Sequence, residues 1–430
     1  MLHPHLTTLN SGLPVLRIPM TGVASLTTLV LANTGSRYES AKHYGIAHFF
    51  EHMVFKGTAK YPQAQDLAQA LDSLGAISNA FTGKEYTGYY VKSASSHHAI
   101  ALDVLSDMLL APKLRPEDIN REKGVIVEEI NMYEDTPMQN IDNVFEQLLF
   151  AGTQLEHDII GLKPTVTSIT QADFRQFIRQ YYGLPNLLLV LAGDERVVNS
   201  DQTLQLAEQA FAKKATDRAG QARHPLDKTL ETKPDQLLKV VTKKTEQAHL
   251  MLGWPGIKRT DERRHALMLL SIILGGNMSS RLFSEVREKR GLCYYVHADS
   301  EHYHDSGTFA ASAGVDPTRV HEAVEVIQAE CQALASGQKP VTTAELKKAK
   351  EYVAGTMLLS LEDSRSVAQF FGFRQLLMGQ VITPEELLAK IQAVTLDQVM
   401  TVAGELMVAG QTRLALIGPF EQKEFSKYVV

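Results

Sequence analysis

The segment Gly45-Ile46-Ala47-His48-Phe49-Phe50-Glu51-His52-Met53-Val54-Phe55-Lys56-Gly57-Thr58 sets two imidazoles and a carboxylate within one short run. It has no proline, little β-branching and a glycine at each end, so its composition predicts a helix. Positions four apart share a helix face. His48 and His52 can therefore point at one metal ion, and Glu51, three residues from His48, can reach a water bound there. The competing reading is two polar residues on an amphipathic helix whose other face holds Ile46, Phe50 and Val54. A catalytic zinc usually has three protein ligands and an open position, so the rest of the chain must decide.

A second helix, predicted over Pro116–Glu134, offers Glu122, Glu128, Glu129 and Glu134. At about 100° per residue, Glu122 and Glu129 nearly align and Glu128 sits well off that face. Val125, Ile126 and Ile130 predict the apolar stripe that this helix buries. Glu122 and Glu129 could then both reach an active site. Alternatively, the acids form a solvated face with Arg121 and Lys123.

Stepping along the chain, hairpin and strand patterns run over Leu6–Ile18 and Ala24–Ala32, followed by the His48–His52 helix. A helix starting at Tyr61-Pro62-Gln63 precedes paired strands at Ile77–Thr82 and Tyr86–Val91. Helices follow near Ser95–Leu110, Pro116–Glu134, Gln139–Leu149 and Thr170–Tyr182, then a strand at Leu187–Ala192. The stretch Lys213–Gln236 is charged and polar, contains Pro225 and Pro234, and shows no sustained periodicity; it reads as an interdomain linker. Strands, helices and a final strand at Arg413–Ile417 then repeat the same order. Ile169-Thr170 through Gly193-Asp194 lies without gaps over Val394-Thr395 through Gly418-Pro419, which points to a duplication. The expected class is α+β: two similar domains, 1–213 and 237–430 around a 214–236 linker, each a mainly antiparallel sheet covered by helices.

The bulk composition excludes several function classes. Hydrophobic content is 44%, charged content 21% and formal net charge −6, so a nucleic-acid or anionic-membrane partner is not expected. The two cysteines, Cys293 and Cys331, make neither a disulfide framework nor a Cys-rich metal cluster. No signal-peptide pattern and no membrane-spanning apolar run are visible, so the expected location is the cytoplasm.

With His48-Phe-Phe-Glu51-His52 followed by Glu122-Lys-Gly-Val-Ile-Val-Glu-Glu129-Ile, the chain resembles the pitrilysin/insulinase family of zinc peptidases, which includes the mitochondrial processing peptidase and its bacterial relatives. The resemblance extends to Asn79-Ala80-Phe81-Thr82 and Glu134-Asp135-Thr136-Pro137. In the second half it covers Gly276-Asn277-Met278-Ser279-Ser280-Arg281-Leu282-Phe283 and Arg287-Glu288-Lys289-Arg290-Gly291-Leu292-Cys293-Tyr294. It implies that His48, His52 and Glu129 ligate Zn2+, one ion per chain, that Glu51 is the general base, and that Glu122 is an accessory acid. The preference for Glu129 over Glu128 agrees with the helical-face argument. It further implies that Asn79, Ala80, Phe81 and Thr82 form an edge strand on which an extended peptide adds. Arg287 and Tyr294 would contact substrate, with Tyr294 able to donate to the oxyanion. The second half carries no His-x-x-Glu-His and is expected to bind no metal. The implied function is zinc-dependent endopeptidase action on flexible peptides inside a clamshell chamber, in a homodimer. The alternative is a non-catalytic or partner-requiring subunit of a heteromeric processing peptidase.

Overall fold

The computed structural model describes residues 2–213 and 236–429, so all but the last residue of the expected 214–236 linker lies outside the described residues. Eleven strands form two sheets among the described residues. In the first, β1 (His5–Thr8), β2 (Pro14–Met20), β3 (Ser25–Ala32), β4 (Ile77–Thr82), β5 (Thr87–Ala94) and β6 (Leu187–Asp194) lie in the order β1-β2-β6-β3-β5-β4. In the second, β7 (Leu238–Thr242), β8 (Ala248–Pro255), β9 (Cys293–His302), β10 (Gly307–Val315) and β11 (Arg413–Gly418) lie in the order β7-β11-β8-β10-β9.

Leaving β1 aside, the sheets match step for step. The pairs β2–β6 and β7–β11 are parallel. Every later neighbour is antiparallel: β6–β3, β3–β5 and β5–β4 in one sheet, β11–β8, β8–β10 and β10–β9 in the other. Counted from β2 and from β7, each strand takes the same place in its sheet. The helix before the last strand is built alike as well. Gln171–Tyr181 is opened by Thr170, whose side chain accepts from the Asp173 N–H. Leu396–Leu406 is opened by Thr395, which accepts from the Gln398 N–H. Both are reciprocal capping boxes, each satisfying two N–H groups that a helix start would otherwise leave bare. The duplication and the α+β class are therefore explicit in the backbone.

The helices that position the site are α1 (Ile46–Met53), α2 (Ala64–Asp72), α3 (His98–Leu110), α4 (Pro116–Asp135) and α5 (Pro137–Leu149). On α4 the buried apolar residues are Ile119, Ile126 and Ile130. Val125, expected in that stripe, is 48% exposed because one step of about 100° carries it off the face that Ile126 buries. The segment Phe283–Glu288 is wound more loosely than an α-helix, with hydrogen bonds one residue longer, as where Lys289 N–H reaches the Ser284 carbonyl.

The compact units differ from the contiguous domains 1–213 and 237–430. The first unit takes the chain to Ile130, resumes at His157 and includes Met357–Thr383. The second takes Asn131–Glu156, the later chain to Thr356, and Pro384 onward. The physical reason is an exchange of one helix each way. In the second unit, Ile141, Val144, Phe145 and Leu149 of α5 bury against Met251, Ala310, Ala415 and Ile417. In the first, Val367, Ala368 and Phe371 of the helix Ser364–Met378 bury against Leu16, Ile18, Leu29, Leu31, Leu188 and Val190.

Shape complementarity specifies each pairing. On β8, a Cβ at Gly253 would stand 2.7 Å from Cζ of Phe145, so the strand is hollow where the helix is bulky. In the first unit the relief is inverted: a Cβ at Gly372 would stand 2.9 Å from Cδ1 of Leu31, so the helix is hollow where the strand is bulky. Interiors are packed densely enough that such single-residue relief matters. Among the described residues, no helix is long and apolar enough to cross a membrane.

Candidate metal centre

Helix α1 is short and needs outside help at its start. Gly45 precedes it at φ 94°, a left-handed conformation that favours glycine, and a Cβ there would meet the Ile160 carbonyl oxygen at 2.5 Å. The first free N–H groups are taken by Glu39, whose two carboxylate oxygens accept from Gly45 N–H and Ala47 N–H, each at 2.7 Å. Burial raises the Glu39 carboxyl to about 8, opposed by these two backbone N–H groups and by Lys84. The apolar face is anchored by Phe49 against Phe174, ring centroids 4.9 Å apart, and by Phe50 against Tyr182, 4.7 Å apart. The opposite face presents His48, Glu51 and His52, and α4 supplies Glu122 and Glu129 to the same place.

His48 Nε2 lies 3.7 Å from Glu129 Oε1, and His52 Nε2 lies 3.4 Å from Glu129 Oε2. One donor atom from each of the three falls within 4.8 Å of the others, and this is the one such group among the described residues. These separations exceed a direct hydrogen bond. They match a tetrahedral ion, whose ligand bonds of about 2.0–2.1 Å set the donors about 3.3 Å apart. The donor set of two imidazole nitrogens and one carboxylate oxygen is of the borderline kind that zinc accepts. By separation and by donor chemistry, the three residues fit the metal.

Glu122 stands behind the histidine. Its Oε1 lies 2.9 Å from His52 Nδ1, and its Oε2 accepts from Lys56 Nζ at 2.7 Å. With a metal bound, a proton held on Nδ1 by Glu122 would leave the Nε2 lone pair to bind it, the usual arrangement for a metal-bound histidine. His48 has no such partner; its Nδ1 is buried without a hydrogen bond.

The charges respond to this packing. Burial and neighbouring His52 pull His48 down to about 4, against the pull of Glu129. Burial alone would lower His52, but the carboxylates of Glu122 and Glu129 outweigh it and raise the group to about 9. Burial would raise Glu122, yet hydrogen bonds from His52 and Lys56 hold it below the ordinary carboxylate range. Glu129 is lowered chiefly by the facing His52 ring, 3.4 Å away. Glu51 is raised by burial, opposed by a hydrogen bond from Thr82, which donates to Oε2 at 2.6 Å.

The other expected site residues fall in two places. Asn79, Ala80, Phe81 and Thr82 lie on β4, the end strand of its sheet, in register with Tyr90, Tyr89, Gly88 and Thr87 of β5. Asn79 is exposed, Ala80 is buried, and Phe81 packs on Tyr86 and Phe373. Arg287 and Tyr294 belong to the second unit and form a pair there. Arg287 donates to the Tyr294 carbonyl at 2.7 Å, its guanidinium lies 5.5 Å from the Tyr294 ring, and that ring is 74% exposed. Glu128 is exposed on α4, away from the group that Glu129 joins.

Residues 20–162 match the model described as insulinase (peptidase family M16), and residues 168–353 match the one described as peptidase M16 inactive domain. A protein of Streptomyces coelicolor named as an uncharacterized zinc protease is 36% identical over 98% of this chain and 91% of that protein. The chain belongs to the insulinase family, peptidase family M16. Another M16 relative, an uncharacterized zinc protease of Bacillus subtilis, is 36% identical over 92% of this chain and 94% of its own. Among solved structures, a protease from Helicobacter pylori has a TM-score of 0.87 at 23% identity, covering 97% of this chain and 100% of that one. It shares the M16 fold.

Two features of this M16 site escaped the sequence. Lys56 carries no motif role of its own, although its spacing of four from His52 places it near the same face. Glu39, which holds the start of α1, sits outside any motif, and only the acid-before-helix rule could have pointed to it.

Proposed function

We propose that this chain is a zinc-dependent endopeptidase that cleaves extended, flexible peptide segments. The observation that carries the reading is the 3.4 and 3.7 Å spacing of the Glu129 oxygens from the two Nε2 atoms, with a carboxylate, Glu51, on the same helix. His48, His52 and Glu129 would hold the zinc, which when bound polarises a carbonyl and acidifies a water. Glu51 takes a proton from water as its oxygen bonds to the peptide carbonyl carbon. It returns a proton to the amide nitrogen as the C–N bond breaks. Glu122 keeps His52 oriented. The outer edge of β4 would offer backbone groups to an extended peptide, displacing the Asn79 side chain from the Ala80 N–H, from which it now accepts at 2.9 Å, and this restricts substrates to segments without stable structure. Arg287 and Tyr294 are the groups we assign to holding substrate, with the Tyr294 hydroxyl as donor to the developing oxyanion. We further propose a cytoplasmic homodimer with one zinc per chain.

The test is incubation of the purified protein with a mixture of unstructured peptides, with and without chelator, and identification of products by mass. Chelator-sensitive internal cleavage is expected. Glu51→Gln should keep its zinc and its unfolding temperature while cleavage falls to background. Zinc-loaded, folded wild-type protein that cuts nothing would instead favour the non-catalytic or partner-requiring subunit.

A further inference from the structure

Strand addition uses backbone groups, so the side chains of the β4 edge are free for other work. Side chains alternate along a strand, and Thr82 shares its face with buried Ala80, two residues earlier. That face meets α1: the Thr82 hydroxyl donates to Glu51 Oε2 at 2.6 Å, within the short range of a hydroxyl bonded to a carboxylate. We propose that Thr82 is the positioning residue for Glu51, fixing the base relative to the strand that receives the peptide, and is not a side-chain contact to substrate. The proposal rests on the reading of Glu51 as base.

The hydroxyl is well anchored. Thr82 ends β4 opposite Thr87, which is buried and donates its own hydroxyl to the Thr34 carbonyl at 2.9 Å. Immediately after it, Gly83 N–H closes a tight turn onto the Tyr86 carbonyl at 2.8 Å. One residue before it, Phe81 lies over Gly88 so closely that a Cβ there would stand 2.1 Å from the ring. A β-branched side chain on such a backbone has little freedom at χ1. A glutamate carboxylate, by contrast, turns broadly about its last torsion. Thr82 removes that freedom by holding Oε2, which leaves Oε1 as the oxygen that takes the proton. Because the donor sits on the very strand to which a peptide would add, the register of the peptide and the position of the base are set by one element.

The experiment measures kcat and KM on an unstructured peptide for Thr82→Val, Thr82→Ala and Thr82→Ser, with zinc per chain and unfolding temperature for each. Peptide binding to the zinc-free proteins is followed by fluorescence anisotropy. Valine and alanine should lower kcat by about 10–100-fold, the scale on which small misplacements act. KM, zinc content and zinc-free peptide affinity should stay within about twofold of wild type, and serine should restore most of kcat. A raised KM with kcat intact would make Thr82 a substrate contact and overturn the proposal. So would a serine variant as slow as valine, which would point to methyl packing, or a valine variant as fast as wild type. If Glu51→Gln turns over normally, the base assignment itself fails. If Glu51→Gln is dead while all three Thr82 variants are normal, only the positioning role fails.

Discussion

In the first unit the helix after β3 begins at Ile46; in the second, the helix after β8, Arg264–Gly275, begins at Arg264. Counted from those starts, His48, Glu51 and His52 fall opposite Ala266, Leu269 and Leu270, all three of them buried. The next comparison is α4 against the helix Thr343–Ser360. Buried Ile119 and Ile126 on one correspond in spacing to buried Leu346 and Val353 on the other. Glu122 then falls opposite Ala349, which is fully buried, and Glu129 opposite Thr356. On the same sheet topology, these positions thus carry Ala, Leu, Leu, Ala and Thr in one half, none of them ionisable, and His, Glu, His, Glu and Glu in the other. The second half shows what the fold itself asks for at these positions. The first half buries charges that the fold does not require, and partners them with His52 and Lys56, since an unpartnered buried carboxylate would be costly. Residues kept against the demands of packing are those that serve a site.

The hardest way to break this comparison is to count metal. Purified protein dialysed free of excess ion should hold one zinc per chain, and His48→Ala or His52→Ala should hold none. A second equivalent surviving either change would mean that the second half has a site of its own. Glu129→Gln should weaken zinc by more than the roughly 10–100-fold that outer partners of metal ligands cost, while Glu128→Gln should leave it unchanged. If the two exchange their effects, the ligand is one residue earlier on α4.

The exchanged helices give the next largest effects, now on stability. Phe145 is fully buried in the hollow over Gly253, so Phe145→Ala should cost about 3–5 kcal/mol in denaturant unfolding. Gly372→Ala fills the opposite hollow; crowding Leu31 should cost about 1–3 kcal/mol, offset by the roughly 1 kcal/mol that alanine gains over glycine within a helix, so the net loss should be smaller than for Phe145→Ala. Both changes leave His48, His52 and Glu129 untouched. A Phe145→Ala protein as stable as wild type would show that relief does not decide which helix covers which sheet.

Below these comes the support behind His52. Glu122→Gln should lower zinc affinity by roughly 10–100-fold without removing the site, the range seen when an outer partner of a metal ligand is lost. Lys56→Met should do less, because it leaves the Glu122–His52 bond in place. Competition against a chelator of known affinity measures both. Equal losses for Lys56→Met and Glu122→Gln would mean that the lysine, not the carboxylate, organises the histidine.

Much of this was legible in the sequence, and the limits follow a physical line. His48, Glu51 and His52 were readable because a helix converts spacing into a shared face, and Glu122 with Glu129 for the same reason. The duplication was readable because Thr170 and Thr395 open helices that run into equivalent strands. The helix exchange was not. An amphipathic pattern says that α5 buries a face, but not which sheet receives it. Val125 was misplaced because an apolar residue was assumed to face inward, whereas Ile119, Ile126 and Ile130 already fill the stripe. Thr82 and Lys56 act through contacts closed only by the tertiary fold, whereas Glu39 acts locally but belongs to no motif. Thr82 reaches Glu51 across 31 residues of chain, and Lys56 reaches a carboxylate on another helix.

The smallest effects test the feature that the halves share most closely. Thr170 and Thr395 cap equivalent helices, and replacing either by alanine should cost about 1 kcal/mol. Their partners differ, however: Thr170 shares its box with Asp173, and Thr395 with neutral Gln398. Burial would raise Asp173, but hydrogen bonds from the Thr170 hydroxyl and N–H and from His43 outweigh it and hold the group at about 2. A carboxyl lowered from 3.8 in this way contributes stability that is present above the unfolded value and lost as pH falls toward the folded one. The cost of Thr170→Ala should therefore shrink on acidification from about pH 5 to about pH 3, while that of Thr395→Ala stays level. Urea unfolding of both variants at each pH reads the difference. Parallel pH dependence would show that the two caps are energetically as alike as their geometry, and that Asp173 owes its low value to the Thr170 N–H and His43 rather than to the Thr170 hydroxyl.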